Sequence, residues 1–394
     1  MSTNTATFDL AAIQRLETER QLPFYAKRDI ALVRGEGAYL YDSDGRRYLD
    51  AMSNYGVAVL GHADPDYTAA LADQLRTLTT GHQSFYNDVR AALLDEIGRI
   101  APEGLTRAFL SNSGTEAIEA ALKLARVATG RPRIVAAKRA YHGRTLGALA
   151  ATADPKYRAS FAPFAFDVTH VPFGDADALA AAVDDATAAV ILEPVQGEAG
   201  VYPAPAGYLQ AARDAATAHG ALLIADEVQT GFRVGAPFAF GQDGVVPDLL
   251  CTAKALANGF PIGLTLATEE IAAAVQPGVH GSTFGGNPLA CRAALITLTV
   301  LRERALCARA ATLGDEIVAR VRDLASPKVR QVRGRGLMIG IELKERATPT
   351  LRALQTAGVL ALPAGPTTLR LLPPLIWERA QVDELMAALG DVLA

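Results

Sequence analysis

The sequence is poor in cysteine, in long apolar runs and in any excess of charge. Its three cysteines are odd in number and sit in apolar or helical surroundings, which argues against a disulfide framework and favours a reducing, cytoplasmic compartment. The formal net charge is −4 and the pI is about 5.9, so the charge does not favour nucleic-acid or membrane binding. No apolar run reaches transmembrane length, and the first residues, MSTNTATFDL, do not resemble a signal peptide. We expect a soluble, cytoplasmic protein.

Motifs that would assign other activities are also missing. The absence of a G-x-x-x-x-G-K-[ST] loop weighs against a nucleotide-binding module with Mg²⁺ on a strand-end acid. No G-x-G-x-x-G opens a helix and no G-x-S-x-G is present, which argues against a dinucleotide site and against an α/β-hydrolase. The six histidines are scattered without the spacing of metal ligands, so we predict no metal site.

Half of the residues are hydrophobic, enough to bury a large core, and the length of 394 residues indicates more than one domain. We divide the chain into an N-terminal arm and hairpin (1–54) that packs with the small domain, a large domain (55–286) and a small C-terminal domain (287–394). The Asp-Gly pair at 44–45, between alternating apolar positions, predicts the hairpin. The Asn-Pro pair at 287–288 opens the helix that marks the second boundary.

The stretch from residue 221 to residue 263 is the centre of the sequence pattern. Residues 221–225 form a continuous apolar run, typical of a strand buried on both faces of a parallel sheet, and Asp226 follows it. A second apolar run, 249–253, is followed by Lys254. Open α/β sheets bind ligands at the carboxyl ends of their strands. An acid and a desolvated lysine at two strand ends suggest a pyridoxal phosphate (PLP) site, because the lysine could bond to the cofactor aldehyde and the acid could keep the pyridinium nitrogen protonated.

Two further loops could hold parts of such a cofactor. A short apolar strand precedes Gly114 and Thr115, whose backbone amides would open onto the N-terminus of a helix beginning at Glu116 and favour an anion. An ordinary N-cap is the alternative explanation of these residues. Tyr141 could stack on a planar ring, and Arg144 could bind a carboxylate or be a solvated loop arginine.

Strand and helix patterns alternate through the middle of the chain. The segments AAVILEPVQ, GYLQAARDAATAHG and ALLIADEVQ form a strand–helix–strand unit, and repeated units of this kind predict a mainly parallel sheet with helices on both faces. Such a sheet would bring the polar residues that follow its strands to one edge. They are Ser113, Tyr141, Glu193, Glu198, Asp226, Gln229 and Lys254.

The C-terminal part predicts a small α+β domain. Just before it, Ser282 and Thr283 lie in a glycine-rich loop that could approach a phosphate closely. Arg370 is the one charge in the apolar run TLRLL, where it is either an edge-strand charge or a clamp for a substrate carboxylate. Glu198 could neutralise such a clamp when no substrate is bound. Tyr55 could line a pocket or pack as an ordinary loop tyrosine.

Nearly the whole chain, from about residue 32 onward, resembles the class III aminotransferases of PLP fold type I, and most of all the acetylornithine aminotransferase group. The stretches that carry the resemblance are NSGTEAIEAALKLAR, KRAYHGRTLGALAAT, VILEPVQGEAGV, LLIADEVQTGFRVG, TAKALANGFPIG and HGSTFGGNPLA. The resemblance implies a large, mainly parallel α/β/α domain beside a smaller α+β domain. The departures are small: Ile118 stands where Asn is common, Ala140 replaces a glycine, and Tyr141 stands where Phe is usual.

The resemblance also implies roles for the residues that match the family motifs. Lys254 would form the Schiff base with PLP and shuttle the proton, and Asp226 would bind the pyridinium nitrogen. The other implied cofactor contacts are Gly114 and Thr115 at the phosphate, Tyr141 on the ring, Glu227, Val228 and Gln229 beside the ring, and Thr283 at the phosphate of the neighbouring subunit's cofactor. The implied substrate contacts are Arg144, Ser282, Tyr55 and Arg370, of which Arg370 would hold the glutamate α-carboxylate and be screened by Glu198.

An obligate homodimer with shared active sites is implied as well, working in ping-pong order between glutamate/2-oxoglutarate and the terminal carbon of a semialdehyde. We expect aminoadipate semialdehyde, held through its α-amino group on a small acidic amino-group carrier protein of lysine biosynthesis. N-acetylornithine aminotransferase of arginine biosynthesis is the alternative, since the two substrate chains differ by one methylene. A semialdehyde aminomutase, which needs no external amino donor, is a third hypothesis. Carrier use predicts a basic rim near Arg144.

Overall fold

The computed structural model describes residues 8–394, in which helices and strands alternate along most of the chain. The helices are α1 (Leu10–Arg20), α2 (Ser53–Gly56), α3 (Pro65–Thr77), α4 (Asp88–Ile100), α5 (Gly114–Thr129), α6 (Leu146–Ala151), α7 (Pro155–Arg158), α8 (Ala176–Ala182), α9 (Tyr208–Ala218), α10 (Ala239–Gln242), α11 (Glu269–Ala273), α12 (Pro288–Glu303), α13 (Leu306–Asp323), α14 (Ala347–Thr356) and α15 (Arg379–Leu393). Short 3₁₀ helices span Ala159–Phe161 and Lys254–Ala257. Within this described range, no helix combines the length and the apolar character needed to cross a membrane.

The strands are β1 (Leu32–Glu36), β2 (Tyr39–Asp42), β3 (Arg47–Asp50), β4 (Arg107–Ser111), β5 (Arg133–Ala137), β6 (Val168–Val171), β7 (Thr187–Leu192), β8 (Val195–Gln196), β9 (Tyr202–Pro203), β10 (Leu222–Asp226), β11 (Leu249–Thr252), β12 (Gly263–Ala267), β13 (Val329–Arg335), β14 (Met338–Leu343), β15 (Val359–Leu360), β16 (Leu362–Ala364) and β17 (Thr368–Leu371). Seven of them form the central sheet of the described chain, in the order β4-β12-β11-β10-β7-β5-β6. Strands β11, β10, β7, β5 and β6 are parallel, whereas β12 runs antiparallel to β11 and β4. This confirms the predicted mainly parallel sheet.

Helices cover both faces of the central sheet because its strands are apolar at successive positions. All six residues of β7 are buried. Successive side chains of a strand point to opposite faces, so Val190 and Leu192 pack in one apolar cluster with α9, while Ala189 and Ile191 pack in another with α5. Such a strand has no solvated face for a charged side chain. Charged residues therefore lie at or beyond the strand ends.

The N-terminal hairpin pairs with the C-terminal part of the chain. Strands β2 and β3 run antiparallel on either side of the Asp-Gly pair at 44–45, which confirms the predicted hairpin, and Gly45 has a φ of +81°. Strand β15 adds to β3 in parallel, and β13, β14, β17 and β16 form a separate antiparallel sheet in that order. Helix α12 packs against α3 and α4 of the preceding part of the chain. The domain boundaries at residues 54 and 287 stay a prediction.

Helix α13 approaches the turn between β13 and β14 at two glycines. A Cβ atom at Gly314 would lie 2.1 Å from the carbonyl oxygen of Gly336, and Gly336 itself has a φ of +54°. Because the obstructing atom belongs to the backbone, it cannot move aside as the end of a flexible side chain could. Close packing of this helix therefore requires glycine at position 314.

We expect Gly314→Ala to lower the free energy of unfolding by about 1–3 kcal/mol, because the added methyl group displaces backbone. Gly390 in α15 is the matched control, since a Cβ there meets Leu324 Cδ2 at an ordinary 4.0 Å. Gly390→Ala should raise the free energy of unfolding by about 0.5–1 kcal/mol through higher helix propensity. Urea unfolding followed by circular dichroism measures both variants, and equal stabilities would contradict the packing described.

Candidate active site

Six of the seven residues predicted at the strand ends, all except Glu198, line one cavity of about 380 Å³ at the carboxyl edge of the central sheet. The predicted site residues that line it are Gly114, Thr115, Tyr141, Arg144, Asp226, Val228, Gln229 and Lys254. The sheet order places β5, β7, β10 and β11 side by side, which brings these distant segments together. A larger cavity of about 580 Å³, between α4, β4 and α11, contains none of the predicted site residues.

Lys254 follows β11 and begins a 3₁₀ helix with an unusual backbone conformation. Its φ is +35°, in a region that residues other than glycine enter only under strain. The side chain is half-buried and lines the cavity. Burial lowers the pKa of Lys254 and outweighs the charges of Glu198 and Asp226, which raise it. The lowered pKa increases the fraction of neutral amine, which is the nucleophilic form.

Asp226 ends β10 with both carboxylate oxygens held. Oδ1 accepts the amide of Val228 at 3.0 Å, and Oδ2 lies 2.7 Å from Nδ1 of His142. Burial lowers the pKa of His142, but the hydrogen bond to Asp226 and the Asp226 charge raise this pKa by more, so the net shift is upward. The sequence prediction treated His142 only as a residue without metal-ligand spacing. Its place directly after Tyr141, beyond β5, is the one signal that could have assigned it to the site.

Glu193, just beyond β7, is a second buried carboxyl group near this pair. Its Oε1 accepts the amide of Tyr141 at 3.0 Å, and its Oε2 accepts the amide of Gly197 at 3.3 Å. Burial raises the pKa of Glu193 to about 7; the charge of His142 opposes the shift and the charge of Asp226 adds to it. The bond to the Tyr141 amide holds that residue in the cavity wall.

The N-terminus of α5 provides backbone donors at the cavity. The helix begins at Gly114, two residues before the predicted start, with Ser113 as its N-cap. The Glu116 amide donates to Ser113 Oγ at 3.3 Å, so the N-cap alternative is correct for Ser113. The next two residues, Gly114 and Thr115, still line the cavity at the positive end of the helix dipole. A Cβ at Gly114 would lie 2.6 Å from Val228 Cγ1, so only glycine fits there.

Tyr141 and Arg144 form part of the rim of the cavity, and both contact Tyr157. Arg144 Nε donates to the hydroxyl of Tyr141 at 3.0 Å, and Arg144 Cζ lies 4.3 Å from the ring centroid of Tyr157. The two tyrosine rings meet edge to face, with centroids 5.5 Å apart. Arg144 is exposed, so its remaining guanidinium donors are accessible to a carboxylate.

Arg370 is a fully buried arginine of the C-terminal sheet. Its strand, β17, lies between β14 and β16, so the alternative of an edge-strand charge is wrong. Nη1 donates to Oε1 of Glu198 and, at 3.0 Å, to Oε1 of Gln229. Burial raises the pKa of Glu198, but the charge and hydrogen bond of Arg370, the charge of Lys254 and the hydrogen bond to Gln229 together lower this pKa by more, so the carboxylate stays ionised beside the guanidinium. The ring centroid of Tyr55 lies 5.5 Å from Arg370 Cζ.

Six predicted site residues do not line the cavity: Tyr55, Glu198, Glu227, Ser282, Thr283 and Arg370. Glu227 points away from it: Oε1 accepts the amide of Phe240 at 2.8 Å and Oε2 accepts the hydroxyl of Thr230. The side chain of Glu227 holds the start of α10 and does not reach the cavity. The predicted contact between Glu227 and the cofactor is therefore wrong. Ser282 accepts the side-chain amide of Asn112 at 3.0 Å, and Thr283 is exposed. The contacts predicted for Ser282 and Thr283 stay predictions.

Comparison with known proteins gives concordant matches along nearly the whole chain. Residues 24–393 match the family model described as aminotransferase class-III. The chain is 46% identical over 373 residues to the LysW-aminoadipate semialdehyde transaminase of Deinococcus radiodurans, covering 94% of this chain and 87% of that protein. It is 48% identical over 374 residues to the acetylornithine aminotransferase of Mycobacterium tuberculosis, covering 94% and 93%. The crystal structure of the ornithine aminotransferase of Toxoplasma gondii superposes with a TM-score of 0.94 at 30% identity, covering 98% and 95%.

The orientation of Glu227 generates a pH-dependent prediction. Burial raises the pKa of Glu227 from 4.5 to about 7, so its protonated form is favoured in the folded state. The stability that this group contributes is fully present below about pH 4.5 and is lost as the pH rises through about 7. We expect Glu227→Gln to abolish this loss: relative to the wild type, the variant should gain on the order of 3 kcal/mol in free energy of unfolding between about pH 4.5 and pH 8.

Urea unfolding at the two pH values measures this gain. Glu345→Gln, at an exposed position, serves as the control and should show no such gain. If Glu227→Gln and the wild type differ in free energy of unfolding by the same amount at both pH values, the result would contradict the burial of an ionisable Glu227.

Proposed function

This chain belongs to the class III aminotransferase family, and we propose that it transfers an amino group between glutamate and the terminal carbon of an N-blocked semialdehyde at the cavity beside Lys254. Membership of the family makes PLP the cofactor and the fold that of the type I PLP enzymes. The observation that carries the proposal is the convergence of Lys254, Asp226 and the N-terminus of α5 on one cavity.

The side chains around the cavity fit PLP, a flat pyridine ring that bears a phosphate and an aldehyde. The amides of Gly114 and Thr115 at the N-terminus of α5 would hold the phosphate. Asp226 would pair with the ring nitrogen, and Lys254 Nζ would bond to the aldehyde carbon. Tyr141, fixed through its amide by Glu193, would supply a flat wall for the ring.

Bound PLP supplies an electron sink for the charge that develops at the substrate carbon when its proton leaves. Lys254 would move that proton, because its lowered pKa favours the neutral amine that can accept it. Asp226 would keep the ring nitrogen protonated. His142 would hold Asp226 in place through the contact between Nδ1 and Oδ2, so that the carboxylate does not have to reorganise during the reaction.

Arg370 would bind the α-carboxylate of glutamate, since a planar guanidinium binds a carboxylate through two parallel hydrogen bonds. Glu198 now accepts from Nη1, so glutamate would have to replace it there. A buried guanidinium left without a partner is unfavourable. Glu198 would therefore neutralise Arg370 while the semialdehyde, which brings no carboxylate to this position, occupies the site.

For the amino acceptor, we propose carrier-bound aminoadipate semialdehyde, the substrate class named for the Deinococcus radiodurans relative. The rim supports an acidic carrier, because Arg144 Cζ and Lys156 Nζ lie 4.3 and 4.4 Å from the same Tyr157 ring centroid, and a third cation, Arg158, follows Tyr157 in α7. Acetylornithine is the second candidate, since the Mycobacterium tuberculosis relative of that name is 48% identical. One methylene separates the two substrate chains, worth only ~1–3 kcal/mol in an apolar pocket.

We propose further that the enzyme is a cytoplasmic homodimer with shared active sites. Thr283 is exposed and does not line the cavity of its own subunit, which is the arrangement needed for a residue that serves the partner's phosphate site. The free thiols of Cys251, Cys291 and Cys307 support a reducing compartment.

The visible absorption of the purified protein, before and after excess glutamate, tests the reaction. We expect glutamate to convert the lysine-bound cofactor to pyridoxamine phosphate with release of an equal amount of 2-oxoglutarate. Lys254→Ala is the control: without the amine it should lack the lysine-bound absorption band and show no turnover. A wild-type protein that PLP cannot reconstitute would contradict the proposal. Conversion of a semialdehyde without 2-oxoglutarate exchange would favour the aminomutase.

The clamp role of Arg370 predicts a selective loss in the donor half-reaction. Arg370→Gln should lower kcat/KM for glutamate about 10²–10³-fold, because the neutral amide cannot replace two charge-assisted hydrogen bonds. The half-reaction with the amine product should fall less than about tenfold. Arg335→Gln is the control, since that guanidinium binds Asp243 at 2.7 Å, away from the cavity. Single-turnover spectra separate the half-reactions, and equal losses in both would argue against the clamp.

Carrier use predicts a salt-dependent contribution from the basic rim. The double variant Lys156→Glu with Arg158→Glu should lower kcat/KM for the carrier-bound substrate about tenfold at low ionic strength, and less at high salt, because surface charges steer association. Activity toward free acetylornithine should not change. Equal effects on both substrates, or no effect on either, would contradict docking at this rim.

A further inference from the structure

A buried arginine without a carboxylate partner lies beside the substrate-binding region. Arg233 and Arg370 both have 0% of their surface exposed. Arg370 pairs with Glu198, whereas Arg233 forms no salt bridge within residues 8–394. A buried guanidinium without a carboxylate is unfavourable unless hydrogen bonds satisfy it. The bonds that Arg233 does make therefore indicate what it holds.

The guanidinium of Arg233 bridges two segments that are far apart in the sequence. Nη1 donates to the carbonyl oxygen of Leu337 at 3.1 Å, and Nη2 donates to the carbonyl oxygen of Gly56 at 2.7 Å. The backbone adds a third link, since the carbonyl oxygen of Arg233 accepts the amide of Leu337 at 2.9 Å. Arg233 thus connects the turn at Gly56 to the turn between β13 and β14.

The turn that ends at Gly56 is strained. Residues 53–56 have φ values of +38°, +51°, +62° and +85°, and only the last is a glycine. Consecutive non-glycine residues in the left-handed region persist only where the surroundings hold them. Ser53 anchors one end, because its amide donates to Asp50 Oδ1 at 2.8 Å and its hydroxyl donates to the carbonyl oxygen of Leu372 at 2.5 Å. Arg233 holds the other end.

This turn carries two side chains of the candidate site. Asn54 lines the cavity, and the ring of Tyr55 packs near the guanidinium of Arg370. The adjacent residues 55 and 56 therefore contact the two fully buried guanidiniums, one each. A shift of the turn would move the wall beside the position where a donor carboxylate meets Arg370.

We propose that Arg233 is a positioning residue for the amino donor: it holds the left-handed turn at residues 53–56 so that Asn54 and Tyr55 confine glutamate at Arg370. This role rests on the aminotransferase function proposed above. Arginine suits it because the rigid fork of the guanidinium can reach two carbonyl oxygens at once, whereas the ammonium group of lysine is a single point charge. The role concerns the binding of glutamate and leaves proton transfer at Lys254 unaffected.

Kinetics of the Arg233→Lys and Arg233→Met holoenzymes test the role. Both variants should bind PLP with the wild-type absorption and raise KM for glutamate about tenfold, with kcat and the KM of the amine product changed less than about threefold. Combining Arg233→Met with Tyr55→Ala should raise KM for glutamate no further than the larger single effect, because both changes act on the same turn. Arg335→Met, next to the same turn between β13 and β14, is the matched control and should leave KM for glutamate unchanged.

Each outcome decides for or against the role. A wild-type KM for glutamate in Arg233→Met, or additive effects in the double variant, would overturn it. If KM for glutamate is unchanged in Arg233→Lys but raised in Arg233→Met, the effect on KM comes from the positive charge alone. That result would also overturn the positioning role. If Arg233→Met does not fold, Arg233→Lys decides alone. A wild-type enzyme inactive with glutamate would overturn the proposed function itself, whereas an active wild type with unaffected variants would overturn only the role of Arg233.

Discussion

Burial of the central sheet between two layers of helices determines where charged side chains can lie in this protein. Side chains on successive positions of β7 and β10 face opposite apolar clusters, so neither strand has a face where a charge could remain solvated. Charged residues are confined to the strand ends. Because the strands are parallel, those ends lie at one edge of the sheet, and the carboxylate of Asp226 and the amine of Lys254 meet there without being close in sequence.

The charges gathered at this edge are buried, and each is balanced by a specific neighbour. Asp226 is paired with His142, whose pKa is raised by that contact, and Arg370 is paired with Glu198, whose pKa is lowered by the Arg370 charge. Lys254 has its pKa lowered by burial. Amino transfer from an acidic donor requires three groups: an amine that binds an aldehyde, a fixed carboxylate, and a cation whose partner can be exchanged. In the proposed reaction only the partner of Arg370, Glu198, is replaced by substrate, whereas the pair of Asp226 and His142 stays in place.

Much of the fold and many of the site residues could be predicted from local patterns. The buried strands, the hairpin at residues 44–45 and the acid and lysine at strand ends follow from apolar runs and turn residues, which act over a few positions. The direction of Glu227 could not be predicted, since it depends on packing against α10. The interior position of β17, which rules out an edge-strand charge at Arg370, depends on pairing with β14 and β16.

Hydrophobic periodicity and turn chemistry are local properties, so the order of residues is enough to specify which segments become buried strands and which chemical groups follow them. The pairing of those groups depends on the folded chain. The contacts of His142 with Asp226 and of Arg233 with Gly56 join residues 84 and 177 positions apart. Such contacts arise from the order of strands in the central sheet and from the packing of loops that follow distant elements, and no pattern of neighbouring residues encodes them. Local sequence patterns therefore indicated which chemical groups the site contains, whereas the fold set their contacts and distances.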